Sequence, residues 1–212
     1  AGVSYFHTTC VITDPNDLPD PSFIDANCDG IDGNIAAAIF VSPSGSNGNA
    51  GTQAAPVATV PVALSKAQTL GKTQVLLREG TYNGRVNLVN GISIYGGYDS
   101  AWVRSSGPVS QISNGTPLSN HLIGVFGISL TAPTRIEGVS IQTLDMAPLS
   151  AGGSNYGVAC DNCPGLILRN VVVQAGKGVD GINAMNTSTV GGNGNAGIAG
   201  GAGTCDTDGT GG

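Results

Sequence analysis

The sequence predicts an all-β chain wound as a parallel β-helix, a solenoid. Three observations carry that reading. Short apolar runs of period two alternate with turn residues through the middle of the chain, as at Val86–Leu88 and Ile92–Ile94. The chain also resembles itself: Ile136–Gln142 can be laid on Leu168–Gln174 at an offset of 32 residues, the mark of stacked structural repeats. Finally, only 10% of residues are charged, against roughly a quarter in ordinary domains, while Gly supplies 34 of 212. Such a chain solvates itself with neutral Asn, Ser, Thr and Gln, which suits strands that stack coil on coil.

Charge excludes some partners. Lys and Arg total 8 against 14 Asp and Glu, a net charge of -6, so there is no electrostatic footprint for nucleic acid or an anionic membrane. No apolar run approaches the ~18 residues of a membrane span. The start at Ala1-Gly2 matches what a signal peptidase leaves, and the expected location is secreted or cell-surface.

The first element is an acidic leader, residues 1–36. In Asp25-Ala-Asn27-Cys28-Asp29-Gly30-Ile31-Asp32-Gly33, oxygen-bearing side chains fall at alternate positions and a glycine at the sixth. A short loop wraps a hard cation in this way, and calcium takes six to eight oxygens. Asp25, Asn27 and Asp29 are the expected side-chain ligands, Ile31 offers its carbonyl, and Asp32, Asp17 and Asp20 are candidates to complete the shell. An EF-hand ends in Glu at position twelve; Ala36 stands there, so this is a shorter type of loop. The alternative is a solvated acidic turn closed by Asx hydrogen bonds. In a secreted protein Cys10 and Cys28 pair, stapling the leader to the loop. Cys160-x-x-Cys163 reads as a local disulfide at a turn: no second C-x-x-C follows, and His7 and His121 are isolated. Cys205 is left for a partner outside this set.

The solenoid is expected over 37–186. Ile39–Val41 is a short strand and Ser42–Gly51 a loop. Thr59-Val60-Pro61 opens a helix, apolar Val60, Ala63, Leu64, Ala67 and Leu70 keep helical spacing, and Gly71 sits at the C-cap. This helix is the expected cap on the first coil, whose open end would otherwise recruit strands. Gln74–Leu77 is a strand, Gly80–Tyr82 a turn, and strands recur to Tyr98. Asn120–Gly127 matches Asn155–Asn162 loosely, and the Ala147–Gly153 loop explains a repeat longer than a coil of roughly 20–25 residues. No second cap follows. The 187–212 tail places glycine at every third position from Gly191 to Gly203 without the proline collagen needs, so it reads as a linker or as packed extended strands. Asp206–Gly209 is a weaker cation turn.

Several motifs occur together in order: Asn27–Gly33, Phe40–Ser46, Gly51-Thr52 with Pro56, the helix, Glu79–Tyr82 and Ile92–Tyr98. Together they resemble the N-terminal part of large secreted bacterial proteins with a pectin-lyase-like right-handed β-helix, the leader being similar to myxobacterial-type members. The resemblance covers most of residues 20–180 and implies that fold, an extracellular location and a surface or adhesive role.

Three function classes are in play. A non-catalytic structural protein, self-assembling or part of a larger parent chain, fits the low charge and uncapped end. A polysaccharide lyase or hydrolase needs clustered acids on one coil face, with Arg or Lys as base in lyases; Asp145, Asp161, Asp180, Arg135, Arg169 and Lys177 are scattered, with Asp161 and Arg169 the nearest pair. A glycan-binding module contacting polysaccharide or cell envelope needs aromatic platforms; Tyr95, Tyr98 and Trp102 are the candidates, but read first as packing around an insertion loop.

Overall fold

The computed structural model describes residues 10–107, 109–146 and 152–181. The glycine triplets, Cys205 and the Asp206–Gly209 turn lie outside the described residues, as does most of the Ala147–Gly153 loop.

In chain order the elements are β1 (Ala38–Val41), α1 (Val60–Leu70), β2 (Gln74–Arg78), β3 (Gly80–Asn83), β4 (Val86–Asn87), β5 (Ser93–Tyr98), β6 (Ser110–Asn114) and β7 (His121–Ile128). Then follow β8 (Thr134–Glu137), β9 (Val139–Thr143), β10 (Ser154–Asp161), β11 (Leu166–Arg169) and β12 (Val172–Gln174). They form three sheets, β1-β2-β5-β8-β11, β3-β6-β9-β12 and β4-β7-β10, and every paired strand within them is parallel. The chain visits the sheets in rotation, giving a β-solenoid of about four turns.

Inward positions build apolar columns. Ile39, Val75, Ile94, Ile136 and Leu168 lie in register down the first sheet. Tyr82, Ile112, Ile141 and Val173 do so down the second, and Val86, Val125 and Val158 down the third. The early rungs are sealed, but Leu168 is 44% and Val173 45% exposed, because no described strand lies beyond them. The offset of 32 residues is the actual register, with Ile136 on Leu168 and Gln142 on Gln174. In the third sheet His121 pairs with Ser154, two residues from the loose alignment. Gly80–Tyr82 is not a turn: it lies in β3, and the bend falls at Glu79.

Single left-handed residues turn the corners. Gly138 (φ +66°) and Asn170 (φ +49°) join the first sheet to the second in successive coils, and Ser129 and Asn162 occupy equivalent positions after the third. Asparagine tolerates this region where most side chains do not. Gly96 has a different reason, close approach: a methyl there would run into the Gly138 carbonyl oxygen.

Helix α1 has the expected bounds, with Gly71 left-handed at its C-cap. Thr59 makes no side-chain cap; instead Asn47 Oδ1 accepts from the amides of Ala58 and Thr59. Its Val60, Ala63, Leu64 and Ala67 pack into the inner core with Ile39, Val75 and Leu77.

A second core lies outside the coils. Phe40, Leu76 and Tyr95 point outward from the first sheet and are buried with Ile31, Ala38, Tyr98 and Trp102. Trp102 meets Phe40 edge to face at 4.9 Å. The leader therefore lies against this face. Gln74 Nε2 donates to the Asp17 carbonyl at 3.2 Å, its Oε1 accepts from the Asn34 amide at 3.0 Å, and the Tyr98 hydroxyl donates to the Asp32 carbonyl. The second sheet keeps the expected neutral exterior, where Gln111 Nε2 donates to Gln142 Oε1 at 2.7 Å.

Candidate functional site

The predicted cation loop divides into two groups. Asp25, Asn27 and Asp29 stay together and close on backbone amides. Asp25 accepts from the amides of Asp29 (3.1 Å) and Gly30 (2.8 Å), and Asn27 Oδ1 from that of Asp29 (2.9 Å). Asp29 accepts from the amides of Ile31 (3.3 Å) and Ile35 (2.8 Å) and from Asn27 Nδ2 (3.0 Å). These are the bonds of an Asx-type turn. The others face elsewhere. Asp17 accepts from the Gly33 amide at 3.0 Å, Asp20 from the Ser22 amide at 2.6 Å, and Asp32 is held by Arg104. Ile31 buries its side chain in the second core. Among the described residues no three His, Cys, Asp or Glu side chains are gathered as a group that could hold a metal ion. Both expected disulfides form, Cys10–Cys28 with Cα atoms 5.8 Å apart and Cys160–Cys163 with 6.1 Å.

The ionic centre of the molecule is Arg104. Its Nη1 donates to Asp32 Oδ2 at 2.9 Å and to the Asp20 carbonyl at 2.8 Å. Its Nε donates to the Gly96 carbonyl at 2.9 Å, and its Nη2 to Glu137 Oε1 at 3.2 Å. The guanidinium also stands 5.8 Å from the ring centres of Tyr95 and Tyr98. Glu137 is fully buried; its Oε2 makes no hydrogen bond and lies 3.7 Å from Arg135 Nη1 and 3.9 Å from Arg169 Nη1. Burial pushes the Asp32 carboxyl up to about 6, with Arg104 opposing that rise. Burial likewise raises Asp17.

Neither Arg104 nor Glu137 stood out in the sequence. Their partners lie 72 and 33 residues away, and only the coil register brings them together. The outward column Phe40, Leu76, Tyr95, Glu137, Arg169 holds the one available signal, an acid continuing an aromatic stack.

The remaining candidates are dispersed. Arg169 faces Glu137 rather than Asp161. Asp145 accepts from the Lys177 amide. Three clefts on the coils hold one carboxylate at most: none beside Gly96 and Gly138, Asp145 in a second, Asp180 in a third. Tyr95, Tyr98 and Trp102 are buried and offer no open platform. No described helix is long and apolar enough to cross a membrane. No protein-family model, curated protein or solved structure matches the chain, so the pectin-lyase-like resemblance rests on its motifs alone.

Proposed function

We propose that the chain is a non-catalytic structural or adhesive element of a secreted or cell-surface protein. The observation that carries this reading is the use of charge. Arg104, Asp32 and Glu137 are joined in one buried centre that fixes the leader to the coils, and the acids on the coils are dispersed rather than gathered in one groove. Two disulfides suit an oxidising compartment. In this reading the solenoid winds right-handed, as parallel crossovers favour, and α1 caps its first coil, consistent with its buried face among the first rungs. The half-exposed Leu168 and Val173 suit the addition of further coils, from a longer parent chain or a second copy.

Turnover and assembly are tested together. The whole chain is incubated with pectic, neutral and amino-sugar polysaccharides while reducing ends and unsaturated uronyl absorbance are followed; sedimentation is run at rising concentration. No turnover with concentration-dependent association is the expected result. Depolymerisation that is lost in Arg169→Ala overturns the reading in favour of the polysaccharide enzyme.

Calcium at Asp25, Asn27 and Asp29 is a separate proposal. It is supported by an acidic leader whose one described ion pair is Asp32 with Arg104. Added calcium should raise the melting temperature and protect residues 10–40 from protease, and EDTA should reverse both. Identical melts and digests with calcium and with EDTA reject it.

A further inference from the structure

The two ends of the first sheet are finished differently. At the first coil the outer edge of β1 is already paired. The Phe40 amide donates to the Gly51 carbonyl at 2.9 Å, the Val57 amide to the Phe40 carbonyl at 3.0 Å, and the Ser42 amide to the Val57 carbonyl at 2.9 Å. At the other end β11 is the last described strand. Leu166 and Leu168 continue the inward columns, while Ile167 and Arg169 point outward. Ile167 and Leu168 are both more than a third exposed. A strand edge in this state is a template for one more strand.

Charge selects which strand fits. The outward column Phe40, Leu76, Tyr95, Glu137, Arg169 is apolar at the closed end and ionic at the open one. Arg104, Arg135 and Arg169 surround Glu137, and Asp32 holds Arg104 from the leader. Three guanidiniums against two carboxylates leave one surplus positive charge, in a chain of net charge -6. The surplus lies at the edge. Arg104 is bonded to both carboxylates. The Arg169 side chain is 47% exposed and stands 3.9 Å from Glu137 Oε2, which accepts no hydrogen bond. Its planar fork is therefore open to a carboxylate on the next rung, about 4.8 Å away. Opposite charges on facing strands stabilise the pair and like charges oppose it, so the arginine that turns away a basic strand admits an acidic one.

We propose that the β11 edge takes a parallel strand from a partner polypeptide, with apolar residues in register with Leu166 and Leu168 and an Asp or Glu in register with Arg169. Main-chain hydrogen bonds supply the affinity, and the carboxylate supplies the choice of partner. The proposal rests on the reading above that the open end accepts further strands, and it adds which strand.

The whole chain is titrated with short fluorescent peptides whose central run is Val-Thr-Val-Glu, Val-Thr-Val-Gln or Val-Thr-Val-Lys. The Glu peptide should bind about tenfold or more tightly than the Lys peptide, and added salt should narrow that gap. Arg169→Gln should abolish the gap without lowering the melting temperature. Leu168→Ser should weaken all three peptides alike. Absence of binding overturns the proposal, as do equal affinities for the Glu and Lys peptides or binding that survives Leu168→Ser. Self-association that Leu168→Ser abolishes, with no peptide bound, gives the edge to a second copy and overturns it too. Polysaccharide turnover, which overturns the structural reading itself, is measured separately from these affinities.

Discussion

Asp32 keeps its place by two opposed effects. Burial disfavours its charge, Arg104 at 2.9 Å favours it, and the balance leaves the carboxyl at about 6 against 3.8 ordinarily. Folding therefore favours the protonated form. The contribution of this group to stability is complete below about pH 4 and is lost as the pH rises through 6. Urea unfolding of the wild type and Asp32→Asn at pH 4, 5, 6 and 7 measures it. The wild type should lose roughly 2–3 kcal/mol relative to the variant across that range; parallel pH profiles would show that Asp32 titrates as in the unfolded chain. The sequence marked Asp32 as acidic and near a cation loop, but not as the partner of an arginine 72 residues away. Local pattern carries turn chemistry such as the Asp25–Asp29 bonds; it does not carry a pairing that depends on how many residues each coil consumes.

Among the elements, the inward columns hold the coils in register and the exposed faces tolerate change. Ile136 lies mid-column between Ile94 and Leu168 and is fully buried, whereas Ser113 faces outward on β6 and makes no side-chain hydrogen bond among the described residues. Ile136→Ala should cost about 2–5 kcal/mol and Ser113→Ala about 0.5 kcal/mol or less, read from the same unfolding curves. Equal costs would mean the columns are not the core. Much of this level was legible beforehand. Period two gave β2, β4 and β5, helical spacing and Gly71 gave α1, and self-similarity gave the register of β8–β9 on β11–β12; β6 carried no such signal. Two readings failed for physical reasons. Gly80–Tyr82 has turn composition but is drawn into β3 by pairing with β6, a tertiary partner that propensity does not see. The third-sheet alignment slipped by two residues: the longer connection between β9 and β10 changes the repeat offset from that of β6 on β9, and the weak similarity of these segments did not pin the new one.

At the scale of the whole molecule, the leader and the coils are one structure joined by a second core and by Arg104. The sequence placed the aromatics Tyr95, Tyr98 and Trp102 in packing. It gave no sign that the leader would bury the outer face of a sheet, because an apolar residue at an outward position looks the same as one at an inward position until the covering segment is known. The proposed structural role draws on this economy of charge: few ionisable groups, with Arg104 joining Asp32 of the leader to Glu137 of the first sheet. The most direct measurement is the urea unfolding of Arg104→Met at neutral pH. If the arginine is architectural, its removal leaves Asp32 and Glu137 buried without a partner, and stability should fall by about 3–5 kcal/mol, with part recovered in Arg104→Met/Asp32→Asn. An unchanged midpoint and slope would contradict the account and free Arg104, with Glu137 and Arg169, for a chemical role.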